Sequence, residues 1–377
     1  MKLPRAFFES IATLTGCIIG AGVLGIPYVV VRSGFWTGML VLVVLGIATL
    51  FVHLLVGEIS LRSSKTHQLA GYAGKYLGKP GKYVMTLSMF IGIYGAMIAY
   101  TLGVGESLQS IFGGSFWLWA VLFYVLMALL VFGGLSILEK SELLMEAVKF
   151  FIFAIILVLL FSSVHFSADR FVGFAGDKLL VPYGVILFAF VGTAAIPEVR
   201  EEMKKFKLLT KRVIIIGSLI PIAVYVLFTA AVVGLSGGFA TDVATIGIAS
   251  KIGGFGFVLL HLFAILAMAS SFIALGYALK GMFRFDFNLP HWEAWALTMV
   301  IPGLLILLGV RSFIGALEVA GTFAGGIAGI TVVLMHMKAR KRSERKPEYQ
   351  VRMNWVGYGA LILLFAVGML YELLLLL

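Results

Sequence analysis

The feature that most constrains this chain is its long uninterrupted apolar blocks. Met39 to Val56 carries only His53 as a titratable group, and Phe150 to Ser162 carries none. Crossing a bilayer core of roughly 30 Å takes about 20 largely apolar residues per helix. A soluble core helix shows no such runs. The whole chain is 61% hydrophobic and 12% charged over 377 residues. A soluble domain carries about 25% charged residues and could not hide that much apolar surface. Strand-like alternation in segments of about ten residues, the signature of a membrane β-barrel, is absent. The fold class expected is an all-α membrane protein.

Eleven spans are expected, at about 8–31, 35–61, 82–112, 116–134, 143–163, 179–199, 210–235, 252–282, 290–309, 312–336 and 354–376. With the N-terminus cytoplasmic, all but five of the 29 basic residues fall on the inner side; the exceptions are Arg32, Arg170, Lys178, Lys251 and Arg311. That asymmetry sets the orientation and puts the C-terminus outside the cell. Trp36, Trp117 and Trp119 then fall at outer helix ends, and Trp292, Trp295 and Trp355 at inner ends, where amphipathic indoles favour the headgroup boundary. The first apolar stretch is too long for a signal peptide and lacks a small-residue cleavage site. The chain thus reads as a multi-pass plasma-membrane protein whose obligatory partner is the lipid bilayer.

Several function classes are excluded. The net charge of +11 lies between apolar blocks with no nucleic-acid-binding module, so no nucleic-acid partner is expected. The run Lys338 to Lys346 instead suits anionic lipid. One cysteine, Cys17, allows neither an intrachain disulfide nor a cysteine metal cluster. No His-Glu-x-x-His or Gly-x-x-x-x-Gly-Lys motif is present, so neither a zinc enzyme nor a pump with its own nucleotide site is expected. No enzymatic activity, cofactor or metal is expected. Nothing in the sequence specifies an oligomeric state.

The most informative segment is Gly20-Ala-Gly-Val-Leu-Gly-Ile-Pro27, inside the first span. In a helix interior glycine costs about 1 kcal/mol and proline about 3 kcal/mol relative to alanine. Non-helical backbone at membrane depth persists only where protein buries it or it lines a wet cavity. The sixth span repeats the pattern as Phe190-Val-Gly-Thr-Ala-Ala-Ile-Pro197. Gly-x-x-x-Ile-Pro occurs at Gly22 to Pro27 and again at Gly192 to Pro197. The two lie in spans one and six, five positions apart, so the halves, about 8–163 and 179–336, run in opposite directions through the membrane, and the last span stands apart. Paired interrupted helices in inverted halves point to a transporter's binding site. Freed N–H groups at one break attract a carboxylate, and freed C=O groups attract an ammonium or a metal cation. Facing breaks therefore suit a zwitterion. Close-packing glycines are the blander explanation of either window alone.

The stretch from Ile19 through Gly20-Ala-Gly-Val-Leu-Gly-Ile-Pro to Tyr28 resembles the first-helix motif of the amino acid/auxin permease family, within the amino acid–polyamine–organocation superfamily. Phe188 to Glu198, followed by Arg200-Glu-Glu-Met203, resembles the same family's sixth helix and the loop after it. The resemblance spans the chain, but these two motifs carry it. It implies a LeuT-like five-plus-five inverted repeat with one added helix, moving amino acids with protons or sodium by alternating access. It implies that Gly20, Ala21 and Gly22 meet a substrate carboxylate through N–H groups, with Val23 also in the substrate site. Phe190, Val191 and Gly192 would offer carbonyls to the amine, and Thr193 a hydroxyl.

Lys149, inside the fifth span, stands where some proton-coupled superfamily members put a lysine in place of sodium; a lysine snorkelling to the inner face and pairing with Glu146 is the alternative. Ser270 and Ser271 on the eighth span match a hydroxyl pair that helps hold sodium in sodium-coupled relatives, or they serve packing. The pair and the lysine argue for opposite coupling ions, and a resident cation favours protons. Glu106 and Glu318 are candidates for an outer gate or proton path, or for interfacial pairing with Arg311. Tyr94 and Tyr100 are candidates for the pocket wall, with packing the blander alternative, and His53 for a hydrogen-bonded structural residue. A neutral amino acid, aromatic ones included, is the expected substrate. A sodium symporter, or a sensor of the same fold that binds without transport, are the alternatives; the short tails argue against the sensor.

Overall fold

A computed structural model describes residues 3–133 and 142–376, and every element in it is helical. Lys2, Lys140 and the end of the span expected at 116–134 lie outside the described residues. The chain enters through α1 (Arg5–Ile18) and α2 (Gly22–Ser33), bent by 49° at their junction. Then follow α3 (Phe35–Arg62), α4 (Leu69–Phe112), α5 (Phe116–Gly133) and α6 (Glu142–Phe161). A second broken element comprises α7 (Tyr183–Phe190) and α8 (Ile196–Glu202). The remainder is α9 (Thr210–Ser236), α10 (Ala244–Ile252), α11 (Gly254–Gly281), α12 (His291–Leu307), α13 (Phe313–Val319), α14 (Gly326–Lys341) and α15 (Trp355–Leu376).

Among the described residues nine helical segments are long and apolar enough to cross a bilayer, and ten if α1 and α2 form one bent span. The eleventh expected segment is α12, whose 17 residues reach only about 25 Å at 1.5 Å per residue. The length test therefore supports nine to ten of the expected eleven. Two helices were not anticipated. Residues 69–77 precede the expected 82–112 span, joined to it through a kink at Gly78 (φ 79°) just before Pro80; glycine permits that φ where other residues are strained. The short α10 precedes α11. Trp295 also departs from expectation: it is half-buried one turn inside α12, its indole donating to the Ala128 carbonyl at 2.8 Å.

Burial sorts the bundle into core and rim. The most apolar window of Tyr183–Lys205 is 83% buried and that of Leu69–Phe112 is 72%, whereas those of α5 and α15 are each 22% buried. The second interrupted element therefore sits centrally, and so does the first, since Ala12–Ile18 of α1 and Gly22–Pro27 of α2 are all buried; the windows of α5 and α15 are the most exposed. Close approach at the centre depends on small residues. A Cβ on Gly321 would lie 1.9 Å from the Gly184 carbonyl oxygen, so the π-helical turn Ala320–Gly325 between α13 and α14 rests directly on α7. Ser88 of α4 donates to the Ala324 carbonyl of that turn at 2.7 Å.

The polar segment after α14 is pinned to the bundle. Glu58 of α3, fully buried, lies 2.7 Å from Arg62 and 3.1 Å from His336, and accepts the Val351 N–H at 2.5 Å. Tyr349 donates to the Leu54 carbonyl and Arg345 to the Leu61 carbonyl. Glu344 pairs with Lys75 at 2.7 Å. On the opposite face, Phe35 stacks on Phe171 at 4.4 Å, and the N–H groups of Phe35 and Trp36 bond to the Val172 and Gly173 carbonyls.

Candidate substrate and ion site

The first break lies at residues 19–21. Ile19 leaves the helical region (φ −83°, ψ 83°), and the chain re-enters a helix at Gly22. Pro27 lies inside α2, not at the break. The N–H groups of Ala21, Gly22 and Val23 begin α2, have no intrahelical acceptor and bond to no other backbone carbonyl among the described residues. They present a concentrated partial positive charge suited to an anion. Gly20 is not part of that set, because its N–H donates to the Ile18 carbonyl at 3.0 Å.

The second break spans residues 191–195. Val191 turns extended (φ −69°, ψ 102°), Gly192 follows at φ −125°, ψ 7°, and Thr193–Ala195 forms a single 3-10 turn. No backbone N–H donates to the carbonyls of Phe190 or Val191 among the described residues. The Gly192 carbonyl departs from expectation, since it accepts the Ala195 N–H at 3.1 Å. Its own N–H donates to His53 Nε2 at 3.2 Å, while His53 Nδ1 lies 2.9 Å from Ser218 Oγ. Accepting at Nε2 requires a neutral ring carrying its proton on Nδ1.

The two breaks touch. A Cβ on Gly22 would lie 2.4 Å from the Ala189 Cβ, and one on Gly192 would lie 2.4 Å from Ile18 Cγ1. Tyr225 of α9 bridges them, its hydroxyl 2.8 Å from both the Ile18 and Ala189 carbonyl oxygens. One hydroxyl proton serves two carbonyls, one from each interrupted element.

Beside the first break lies a buried cation. Lys149 is 1% exposed, and its Nζ lies 2.7 Å from Glu146 Oε1, 3.1 Å from Ser270 Oγ and 3.5 Å from the Ile19 carbonyl. Ser271 donates toward the carbonyls of Gly16 (2.8 Å) and Ile19 (3.3 Å). The lysine and the serine pair, which pointed to different ions in the sequence, thus share one site. Glu146 is present as well, so the lysine is both paired and placed at the break.

A cavity of about 50 Å³ lies where the breaks meet α4 and the π-helical turn; Tyr100, Phe188, Val191, Thr193, Met89 and Ala324 are among its walls. Ala194 lines both this cavity and a vestibule of about 820 Å³ on the basic face, which reaches Arg5, Glu9, Leu143 and Lys280. The walls of the smaller cavity are mostly small or apolar, with Ser88, Tyr100 and Thr193 among the polar side chains.

Other sequence-derived candidates fall elsewhere. Of the two tyrosines, Tyr100 lines the cavity, whereas Tyr94 lies off its wall, its hydroxyl bonded to the Leu297 carbonyl of α12 at 2.8 Å. The Phe190 ring packs on Tyr225 with centroids 5.0 Å apart, leaving its backbone to face the break. Glu106 and Glu318 form no ion pair within 4.0 Å among the described residues, and both lie within electrostatic reach of Asp242. Arg311, expected to pair with them, lies 5.2 Å from the Trp117 ring centroid. Tyr225 was missed by sequence reasoning; its only signal is a polar group in the middle of an apolar span.

With this geometry in place, comparison with known proteins decides the family. The tryptophan/tyrosine permease family model matches residues 4–375. The chain belongs to that family. This permease is 24% identical to glutamine transporter 2 of Aliivibrio fischeri, with 98% of each chain covered. It is 26% identical to tyrosine-specific transport system 1 of Haemophilus influenzae, over 95% of this chain and 93% of that one. Among solved structures it shares the fold of MhsT, crystallised with L-phenylalanine, at a TM-score of 0.70 and 14% identity over 98% of this permease and 97% of that chain. The permease is thus a multi-pass, all-helical membrane transporter related to amino acid transporters, with LeuT-like fold neighbours.

Proposed function

We propose that this permease moves a neutral amino acid, with aromatic side chains favoured, across the plasma membrane by alternating access coupled to protons. The single observation that carries the reading is the contact between the two breaks. Gly22 packs on Ala189 and Gly192 on Ile18, so the unbonded N–H groups of Ala21–Val23 and the unbonded carbonyls of Phe190 and Val191 belong to adjoining stretches of backbone, a pairing that suits a zwitterion and demands no charged side chain. The relatives' names support the substrate class: they are tyrosine and glutamine transporters. The aromatic and methionine walls of the cavity support an uncharged side chain.

Proton coupling is supported by Lys149. Its Nζ occupies the ground beside the Ile19 carbonyl and Ser270 that a metal cation would need. The inverted halves at 8–163 and 179–336, the added helix at 354–376, membership of the amino acid/auxin permease family and a cytoplasmic N-terminus belong to the same proposal. In that orientation the 820 Å³ vestibule opens to the cytoplasm.

Counterflow in proteoliposomes with labelled tyrosine, tryptophan, phenylalanine and glutamine tests the reading. At least one should exchange, and an inward proton gradient should drive its accumulation without sodium. Accumulation driven by sodium alone overturns the coupling. Binding without exchange for every amino acid overturns transport in favour of a sensor.

A further inference from the structure

The buried face of α6 carries a carboxylate for which the reading above has no task. Glu146 is 3% exposed, and Oε1 lies 2.7 Å from Lys149 Nζ. Its second oxygen, Oε2, is buried with no hydrogen-bond partner among the described residues. Gly16 of α1 packs so closely that a Cβ there would fall 2.7 Å from Oε1. A buried carboxylate oxygen left unpaired is costly, and natural structures keep few of them.

Lys149 is in the opposite condition. Its three N–H groups have three acceptors in Glu146, Ser270 and the Ile19 carbonyl. An ammonium has no lone pair and takes up no further proton. Within the pair, the open position for a proton is Glu146 Oε2.

Among the described residues no second ion pair reaches Glu146. Helices α1, α9 and α11 pack against α6. Lys149 is the one charged side chain within 4.0 Å of Glu146 among the described residues. On α1, Arg5 and Glu9 pair with each other at 2.6 Å, and Cys17 lines the central cavity. On α9, Tyr225 is committed to the two breaks, and Lys211 and Arg212 are exposed. On α11, His261, Tyr277 and Lys280 bond to the carbonyls of Phe257, Leu130 and Val131. The vestibule reaches Leu143, three residues and so one helical turn from Glu146 on the same face.

We propose that Glu146 Oε2, and not the Lys149 amine, takes up the coupling proton; this rests on the proton-coupled reading above. The step is a single protonation: a proton from the vestibule adds to the Oε2 lone pair and gives a neutral carboxylic acid, with no other bond changed. Before it, the pair is electrically neutral. After it, the Lys149 charge is no longer offset and acts on the adjacent break, where the substrate carboxylate meets the N–H groups of Ala21–Val23. Proton and substrate then favour each other's binding, as coupled ligands must.

The test is E146Q in proteoliposomes, beside wild type, with whichever of tyrosine, tryptophan or glutamine the wild type exchanges fastest. We expect E146Q to keep counterflow but lose accumulation driven by a proton gradient, its internal-to-external ratio falling to unity. Its substrate affinity should no longer vary with pH, whereas that of wild type should tighten as pH falls. E146D, which keeps a carboxyl, should restore part of both. Proton-driven accumulation in E146Q equal to wild type overturns the proposal and leaves the amine as the proton site. Failure of wild type itself to respond to a proton gradient overturns the coupling reading, a different result. Should E146Q not yield folded protein, infrared difference spectra of wild type decide. A protonated-carboxyl band that appears on acidification with substrate and shifts in E146D supports the proposal; no such band overturns it.

Discussion

Gly22→Ala perturbs the contact between the two breaks with a single methyl group. The added Cβ would lie 2.4 Å from Ala189 Cβ and 2.5 Å from Ala189 Cα. Carbon atoms prefer about 3.5–4.0 Å, so α2 and α7 must part by about 1 Å. The nearest atoms belong to backbone and an alanine, and no flexible side chain can swing away. Overpacking of this kind costs about 1–3 kcal/mol. Spent on the substrate-competent arrangement, that weakens apparent affinity by about 5- to 150-fold, at tenfold per 1.4 kcal/mol. The assay is concentration-dependent counterflow, together with substrate-induced thermal stabilisation in detergent. Gly359→Ala is the control: it lies on exposed α15 with nothing within 4 Å of a new Cβ, so both readouts should stay at wild-type values. Wild-type affinity in G22A would show that the breaks need not touch for binding, and the reasoning from their contact would be refuted.

Tyr225→Phe removes the hydroxyl shared by the Ile18 and Ala189 carbonyls. Leaving a buried carbonyl unsatisfied costs about 1–3 kcal/mol, so the melting temperature in detergent should fall; an unchanged or raised value would mean the hydroxyl ties nothing. Glu58→Gln leaves Arg62 buried without its partner, a class of change that costs about 3–5 kcal/mol. It should lower the yield of monodisperse protein and expose the 342–353 segment to trypsin, and wild-type resistance would contradict the docking. The Lys75 ammonium hydrogen-bonded to Glu344, then the Ser64 N–H, hold the Glu344 carboxyl down to about 2 from its usual 4.5. A depressed carboxyl favours the folded arrangement above its unfolded value, and that preference is lost as pH falls toward 2. A spin label at Ser343 should therefore stay immobile at pH 6 and gain mobility as pH drops from about 4.5 to about 2; equal mobility throughout would count against the Lys75–Glu344 tie.

The legible part of this fold is what covalent chemistry dictates locally. Apolar run length marked the spanning helices, and glycine and proline content marked both breaks, because backbone cost is a property of the residue itself. Even so, the first break fell at residues 19–21, just ahead of Gly22, since Pro27 is tolerated within α2. Illegible features depend on partners distant in sequence. Tyr94 and Tyr100 look alike on α4, and only the packing of α12 turns one away from the cavity. His53 looked structural and is so, yet its bond to Gly192 lies 139 residues away. Ionisable residues were read from their positions in spans, which flagged Lys149, with Glu146 as its partner, but passed over Glu58 at the end of α3. The kink at Gly78 hid the helix at residues 69–77, because a Gly-Lys-Pro-Gly sequence ordinarily ends one.

The most direct measurement is a high-resolution structure of the protein with a transported amino acid bound. The substrate carboxylate should lie within hydrogen-bonding distance of the Ala21, Gly22 and Val23 N–H groups, and its ammonium against the Phe190 and Val191 carbonyls. Density for the amino acid elsewhere, or unbroken helix through residues 19–21 and 191–195, would contradict the account.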